Sequence, residues 1–125
     1  MTADDFRKIA LAQPGAEERA HMSHPDFRVR GKIFATLAYP NEEWGMVKIT
    51  PELQAAYVDE DPETFVPVKG AWGAKGCTSV LLKKANKGVV ELAMAAAWRA
   101  AAATLPAKPR SDRSATRARR GSKKQ

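Results

Sequence analysis

At 125 residues, 44% of them hydrophobic, the chain suits one folded domain with a core of its own, which excludes disorder for most of its length. The formal net charge of +7 belongs wholly to the C-terminal tail, where Lys108, Arg110, Arg113, Arg117, Arg119, Arg120, Lys123 and Lys124 face only Asp112; residues 1–105 balance. A neutral domain exerts no long-range pull on phosphates, so any nucleic-acid contact within it must rest on local patches.

Thr2-Ala3-Asp4-Asp5 resembles a capping box with Asp in place of Glu, and acidic residues suit the positive end of a helix. Phe6, Ile9, Ala10 and Gln13 then share one helical face, and Pro14-Gly15 ends the helix. Residues 16–20 read as a polar connector, and residues 20–23 as a short strand leading into a hairpin. The hairpin is the strongest pattern in the chain. Phe27 and Val29 alternate with Asp26, Arg28 and Arg30, Gly31 supplies the positive φ of a short turn, and residues 33–39 return. Phe27, Val29, Ile33 and Phe34 are its expected core residues.

Pro40-Asn41-Glu42-Glu43 is turn chemistry, and residues 44–49 form a strand expected to pair antiparallel with residues 33–39. Thr50-Pro51-Glu52 starts a short helix over residues 51–58, followed by the solvated acidic run Asp59-Glu60-Asp61. Pro67 makes residues 65–68 an edge strand or a covering loop. Residues 70–76 are a glycine-rich loop, and residues 77–82 a strand. Asn86 caps a last helix from about Lys87 to Thr104, whose stripe is Val90, Met94, Ala97, Trp98, Ala101 and Leu105. From Pro106 the composition is that of a disordered basic tail. The expected fold is α+β: a two-layer domain over residues 1–105, with an antiparallel sheet of about five strands, helices on one face, and the other face open to water.

Cys77 is the only cysteine, which excludes an intrachain disulfide and Cys-rich zinc sites. The N-terminus does not read as a secretory signal, and no apolar run is long enough to span a membrane, so a cytoplasmic protein is expected. His21 and His24 have H-x-x-H spacing, but positions three apart on one strand face opposite ways, and turn or surface histidines are expected rather than a metal site. Gly70, Gly73 and Gly76 fit neither a P-loop nor a dinucleotide fingerprint, because they precede a strand. In that loop Trp72 either folds back as a lid on the core or stands exposed as a stacking surface with Lys75 as charge partner. Cys77 and Ser79 are nucleophiles by residue type alone, with no base or paired carboxylates to serve them, so no enzyme, metal or cofactor is expected. Arg28, Arg30, Lys32, Lys48, Lys69 and Lys75 are the basic candidates, and the first three make a hairpin tip suited to phosphates, unless Arg28 pairs with Asp26 or a neighbouring strand's carboxylate and merely solvates the sheet.

Several segments in order resemble the MmcQ/YjbR family of small bacterial proteins. They are residues 6–14 with Gly15-Ala16-Glu17-Glu18, His24-Pro25-Asp26-Phe27-Arg28-Val29, Gly31-Lys32-Ile33-Phe34-Ala35, residues 44–52 from Trp44-Gly45-Met46 to Thr50-Pro51-Glu52, and Gly70-Ala71-Trp72-Gly73 with Gly76 and Thr78. The resemblance implies a compact antiparallel sheet with helices on one side, similar to secretion-chaperone-like folds. It also implies a double-wing DNA-binding architecture, whose wings here would be the Arg30-Gly31-Lys32 hairpin and the Trp72–Lys75 loop. The expected function is therefore DNA binding through Arg28, Arg30, Lys32, Trp72 and Lys75, aided by the tail, in a monomer. The alternative is a module whose open sheet face receives a protein or a small ligand.

Overall fold

Thr2 and Asp5 form the capping box that their spacing predicts. The Thr2 hydroxyl accepts from the Asp5 amide at 3.1 Å, and the Asp5 carboxylate accepts from the Thr2 amide at 3.0 Å. These two bonds also hold the Asp5 carboxyl below its ordinary pKa. Helix α1 (Ala3–Leu11) buries Phe6, Ile9 and Ala10. The computed structural model describes residues 1–21, 24–38 and 41–103, and the side chain of His21 is outside that description. The expected disordered tail, the ends of two expected strands at Ser23 and Tyr39, the turn proline Pro40, and Leu105 of the helical stripe lie outside the described residues.

Among the described residues the sheet has six strands, all antiparallel, in the order β1-β2-β3-β4-β6-β5. The first strand, β1 (Glu17–His21), overlaps the short strand expected over residues 20–23 at Ala20 and His21 and begins earlier, where a polar connector is expected. Its sequence Glu-Glu-Arg-Ala-His has no apolar alternation, and its strand conformation comes from pairing with β2 (His24–Val29), with Glu18 opposite Phe27. Its charges suit a sheet edge.

Strand β2 turns into β3 (Lys32–Leu37) through two residues, Arg30 with φ 54° and Gly31 with φ 80°. Positive φ at both positions is the geometry of a type I′ turn, whose twist matches that of the flanking strands. The register then slips: Arg28 faces Ile33, but Phe27 faces Ala35. Phe34 is the extra residue of a bulge. Phe34, Ala35 and Leu37 are all buried, while Ile33 is left half-exposed opposite Arg28. This corrects the expectation that Ile33 and Phe34 both belong to the core.

Strand β4 (Trp44–Lys48) pairs with β3 as expected. Gly45 admits the Phe6 ring, which a Cβ there would meet at 2.7 Å. Helix α2 (Pro51–Glu60) starts with Thr50 accepting from the Leu53 amide and runs two residues further than expected. Strand β5 (Phe65–Pro67) is the expected edge strand, bound only to β6 (Cys77–Leu81). Between them Ala71–Ala74 forms a single helical turn, α3. Asn86 accepts from the Val89 amide at 3.1 Å to open helix α4 (Lys87–Ala103), which buries Val90, Met94, Ala97 and Ala101. Trp98 is half-buried, and its indole N–H donates to the Pro14 carbonyl at 2.8 Å.

Phe6, Phe27, Phe34, Val47, Val80, Val90 and Met94 form one fully buried core between the helices and one face of the sheet. On the other face Ile33, Thr36, Trp44, Met46, Ser79 and Leu81 are half-exposed. The fold is the α+β arrangement expected, with one strand more.

Candidate nucleic-acid interface

Strand registers decide which loops meet. Val29 faces Lys32 at the close of the β2–β3 hairpin, Lys48 faces Cys77, and Pro67 faces Thr78. The hairpin turn, the C-terminal end of β4, the start of β6 with α3 before it, and the end of β5 therefore stand at one end of the sheet. That end gathers Arg30, Lys32, Lys48, Lys69 and Lys75. From β3 to β6 is two strand spacings, about 10 Å, so the hairpin and α3 are neighbours across β4.

Among the described residues no carboxylate pairs with any of these five cations. A group of carboxylates stands at the opposite end, where Lys84 pairs with Glu63, while Glu17 opposite Arg28 and Glu52 in the first turn of α2 lie toward the basic end. Leu81 and Leu82 amides donate to the Thr64 and Glu43 carbonyls, which sets the turn of Glu42 and Glu43 beside the run Asp59, Glu60, Asp61 and Glu63. The neutrality of the domain thus conceals local groupings of like charge.

Helix α4 runs toward the basic end. Trp98 is tied to Pro14, and Gly15 lies within 3.9 Å of a Val29 methyl if given a Cβ, beside the hairpin turn. Ala103, the last described residue, is one further turn along.

The candidate residues do not all fare alike. Arg28 is not available in the way Arg30 is. Its Nε donates to Asp26 Oδ1 at 2.8 Å and its Nη2 to Oδ2 at 3.2 Å, and Asp26 is only 2% exposed. This two-point bond raises the Arg28 pKa and neutralises its charge locally. Arg30 and Lys32 are exposed at the turn itself.

Trp72 is 62% exposed, so it does not fold back as a lid on the core; it stands out with Lys75 Nζ 5.9 Å from its ring centroid. The glycines serve the backbone beneath it. A Cβ on Gly73 would fall 1.7 Å from the Val68 carbonyl oxygen, and one on Gly76 1.7 Å from that of Ile49. Gln54 Nε2 donates to the Gly73 and Cys77 carbonyls, each at 3.0 Å, which joins α2 to the same turn. Lys48 and Lys69 are basic candidates by residue type alone; that they share the same end of the sheet with these residues follows from the strand order.

Other candidates take different places. His21 and His24 are cross-strand partners in the β1–β2 hairpin, not residues on opposite faces of one strand. No group of three or more metal-binding side chains occurs among the described residues. Burial pushes the Cys77 thiol up in pKa, against the weaker opposing effect of Lys48 and Lys75. No helix among the described residues is long and apolar enough to cross a membrane.

A sequence model of the YjbR family matches residues 11–100. The chain belongs to the YjbR family. The crystal structure of the Deinococcus radiodurans protein DR2400, of domain family DUF419, is similar in fold, with a TM-score of 0.66 at 16% identity over 78% of this chain and 75% of that one. No curated protein matches the chain. The match over residues 11–100 spans the hairpin, α3 and α4 up to Ala100, and ends before the basic tail.

Proposed function

We propose that this YjbR-family protein binds nucleic acid, DNA in the first instance, through the basic end of its sheet and carries out no reaction of its own. The observation that supports this most is the gathering of Arg30, Lys32, Lys48, Lys69 and Lys75, unpaired among the described residues, at one end of a domain whose total charge is balanced. Arg30 and Lys32 on the hairpin form one wing, and Trp72 with Lys75 on α3 the other. Such contacts position a phosphate backbone without reading its sequence. The C-terminal tail, whose charge is +7, adds salt-sensitive affinity.

The strain in the turn points the same way. Arg30 holds φ 54°, where glycine or asparagine is favoured in a type I′ turn. An exposed long cation kept in that conformation is a reasonable mark of a working residue.

A second reading takes the open sheet face as a seat for a protein or a small ligand. It is favoured by the half-exposed Ile33, Trp44, Met46 and Leu81 on that face. Binding to duplex DNA, measured against salt for the full chain and for residues 1–105, separates the two. Under the first reading the shortened chain still binds at low salt. Absence of binding by the shortened chain leaves only the tail to hold DNA and removes the sheet end from that role.

A further inference from the structure

The nucleic-acid reading does not specify the form of the strand, and the surroundings of Trp72 bear on it. Resting on that reading, we propose that α3 is a stacking platform for an unpaired base, so that the basic end of the sheet takes single-stranded nucleic acid in preference to duplex.

Trp72 is the only tryptophan among the exposed large hydrophobic residues, at 62%. Nothing in its surroundings works to bury it. The constraints on α3 act on its backbone: Gly70 at φ 81° opens the turn, Gly73 and Gly76 lie against the Val68 and Ile49 carbonyls, and Gln54 holds two carbonyls from α2. The effect is a fixed turn that carries an indole into solvent. Ordering the platform in advance spares a ligand the entropy of arranging it.

Lys75 supplies the complementary charge. Its ammonium lies 5.9 Å from the indole centroid, close enough for a phosphate flanking a stacked base to meet it. Lys32, at the start of β3, stands about two strand spacings, ~10 Å, from the start of β6, at the same end of the sheet. Stacking a base on an aromatic ring is sequence-tolerant and strengthens binding severalfold or more for each base. A duplex base is already stacked and paired, and extruding it costs a few kcal/mol. The platform therefore favours strands whose bases are free, RNA or DNA alike, since nothing at Trp72 reads a 2′-hydroxyl.

The test uses the full chain with a short oligothymidylate, an oligouridylate and a duplex of equal length at one salt concentration. Wild type is compared with Trp72→Ala and Trp72→Phe. Trp72→Ala is expected to weaken both single strands by about 5- to 150-fold, to weaken the duplex clearly less, and to leave the melting temperature unchanged because the side chain is exposed. Trp72→Phe retains most of the single-strand affinity but loses the fluorescence quench that wild type shows on binding. An equal loss for all three ligands, no loss for any, or a quench that persists in Trp72→Phe overturns the platform and leaves the charge-based reading standing. Failure of wild type to bind any of the three overturns that reading itself.

Discussion

Arg28 reaches back two residues along its own strand to grip Asp26 at two points, 2.8 and 3.2 Å. That bond divides the basic hairpin into two kinds of cation. Arg28 neutralises a carboxylate that is 2% exposed, whereas Arg30 and Lys32 at the turn have no such partner among the described residues. Removing Arg28 leaves a buried carboxylate unpaired, which is strongly unfavourable. Arg28→Ala should therefore lower the thermal midpoint clearly more than Arg30→Ala, and Asp26→Ala combined with Arg28→Ala should recover part of the loss. Thermal melts of the three variants check this.

Arg30 carries a cost of conformation that another residue would not. Asn-Gly is a favoured pair for a type I′ turn, and a left-handed φ is unfavourable for a side chain such as arginine. Arg30→Asn should raise stability by about 0.5–1 kcal/mol while weakening nucleic-acid binding. Chemical denaturation beside a binding titration reads the two effects, which have opposite signs.

The bulge at Phe34 makes adjacent residues unequal. Phe34 is fully buried and Ile33 is not, although the two are neighbours in a strand. Phe34→Ala should cost about 3–5 kcal/mol, and Ile33→Ala about 1 kcal/mol. A regular strand without the bulge would move Phe34 to the face opposite Phe27 and Ala35 and reverse the order. Equilibrium unfolding in urea decides.

Cys77 is buried, and burial raises its pKa above the usual thiol value near 9.0. The unfolded chain loses that proton at a lower pH than the folded chain does. The stabilising effect is thus complete below the unfolded pKa and is lost as pH rises through the folded one. Iodoacetamide should label folded Cys77 slowly at neutral pH, and labelling should accelerate sharply in denaturant. Fast labelling of the folded protein would show an exposed, reactive thiol instead.

Features set by near neighbours in the chain were legible from the residues. The Thr2–Asp5 capping box, the Thr50 and Asn86 caps and the Gly31 turn each need only a few consecutive residues to be recognised. Strand β1 was harder, because Glu17–His21 has no apolar rhythm and owes its conformation to β2. The bulge was equally hidden: Ile33-Phe34-Ala35 is apolar throughout, so alternation could not say which residue left the core.

The site was legible in parts and not as a whole. Arg30, Lys32, Trp72 and Lys75 stood out by residue type and loop position, and Arg28 had two readings that only geometry could separate. Lys48 and Lys69 stood out only as basic residues, because their proximity to the others follows from β6 entering the sheet beside β4. Summed charge obscured the site further. A balance near zero over residues 1–105 hides the local grouping of five cations at one end of the sheet, which non-local strand pairing sets.

The central claim is that the sheet end, and not the tail alone, holds nucleic acid. Its most direct test is the salt dependence of duplex binding by the full chain carrying Arg30→Ala, Lys32→Ala and Lys75→Ala together. The slope of log affinity against log salt should become shallower by about 0.9 for each phosphate that the variant no longer neutralises. A slope equal to that of wild type would contradict the claim and assign the binding to the tail.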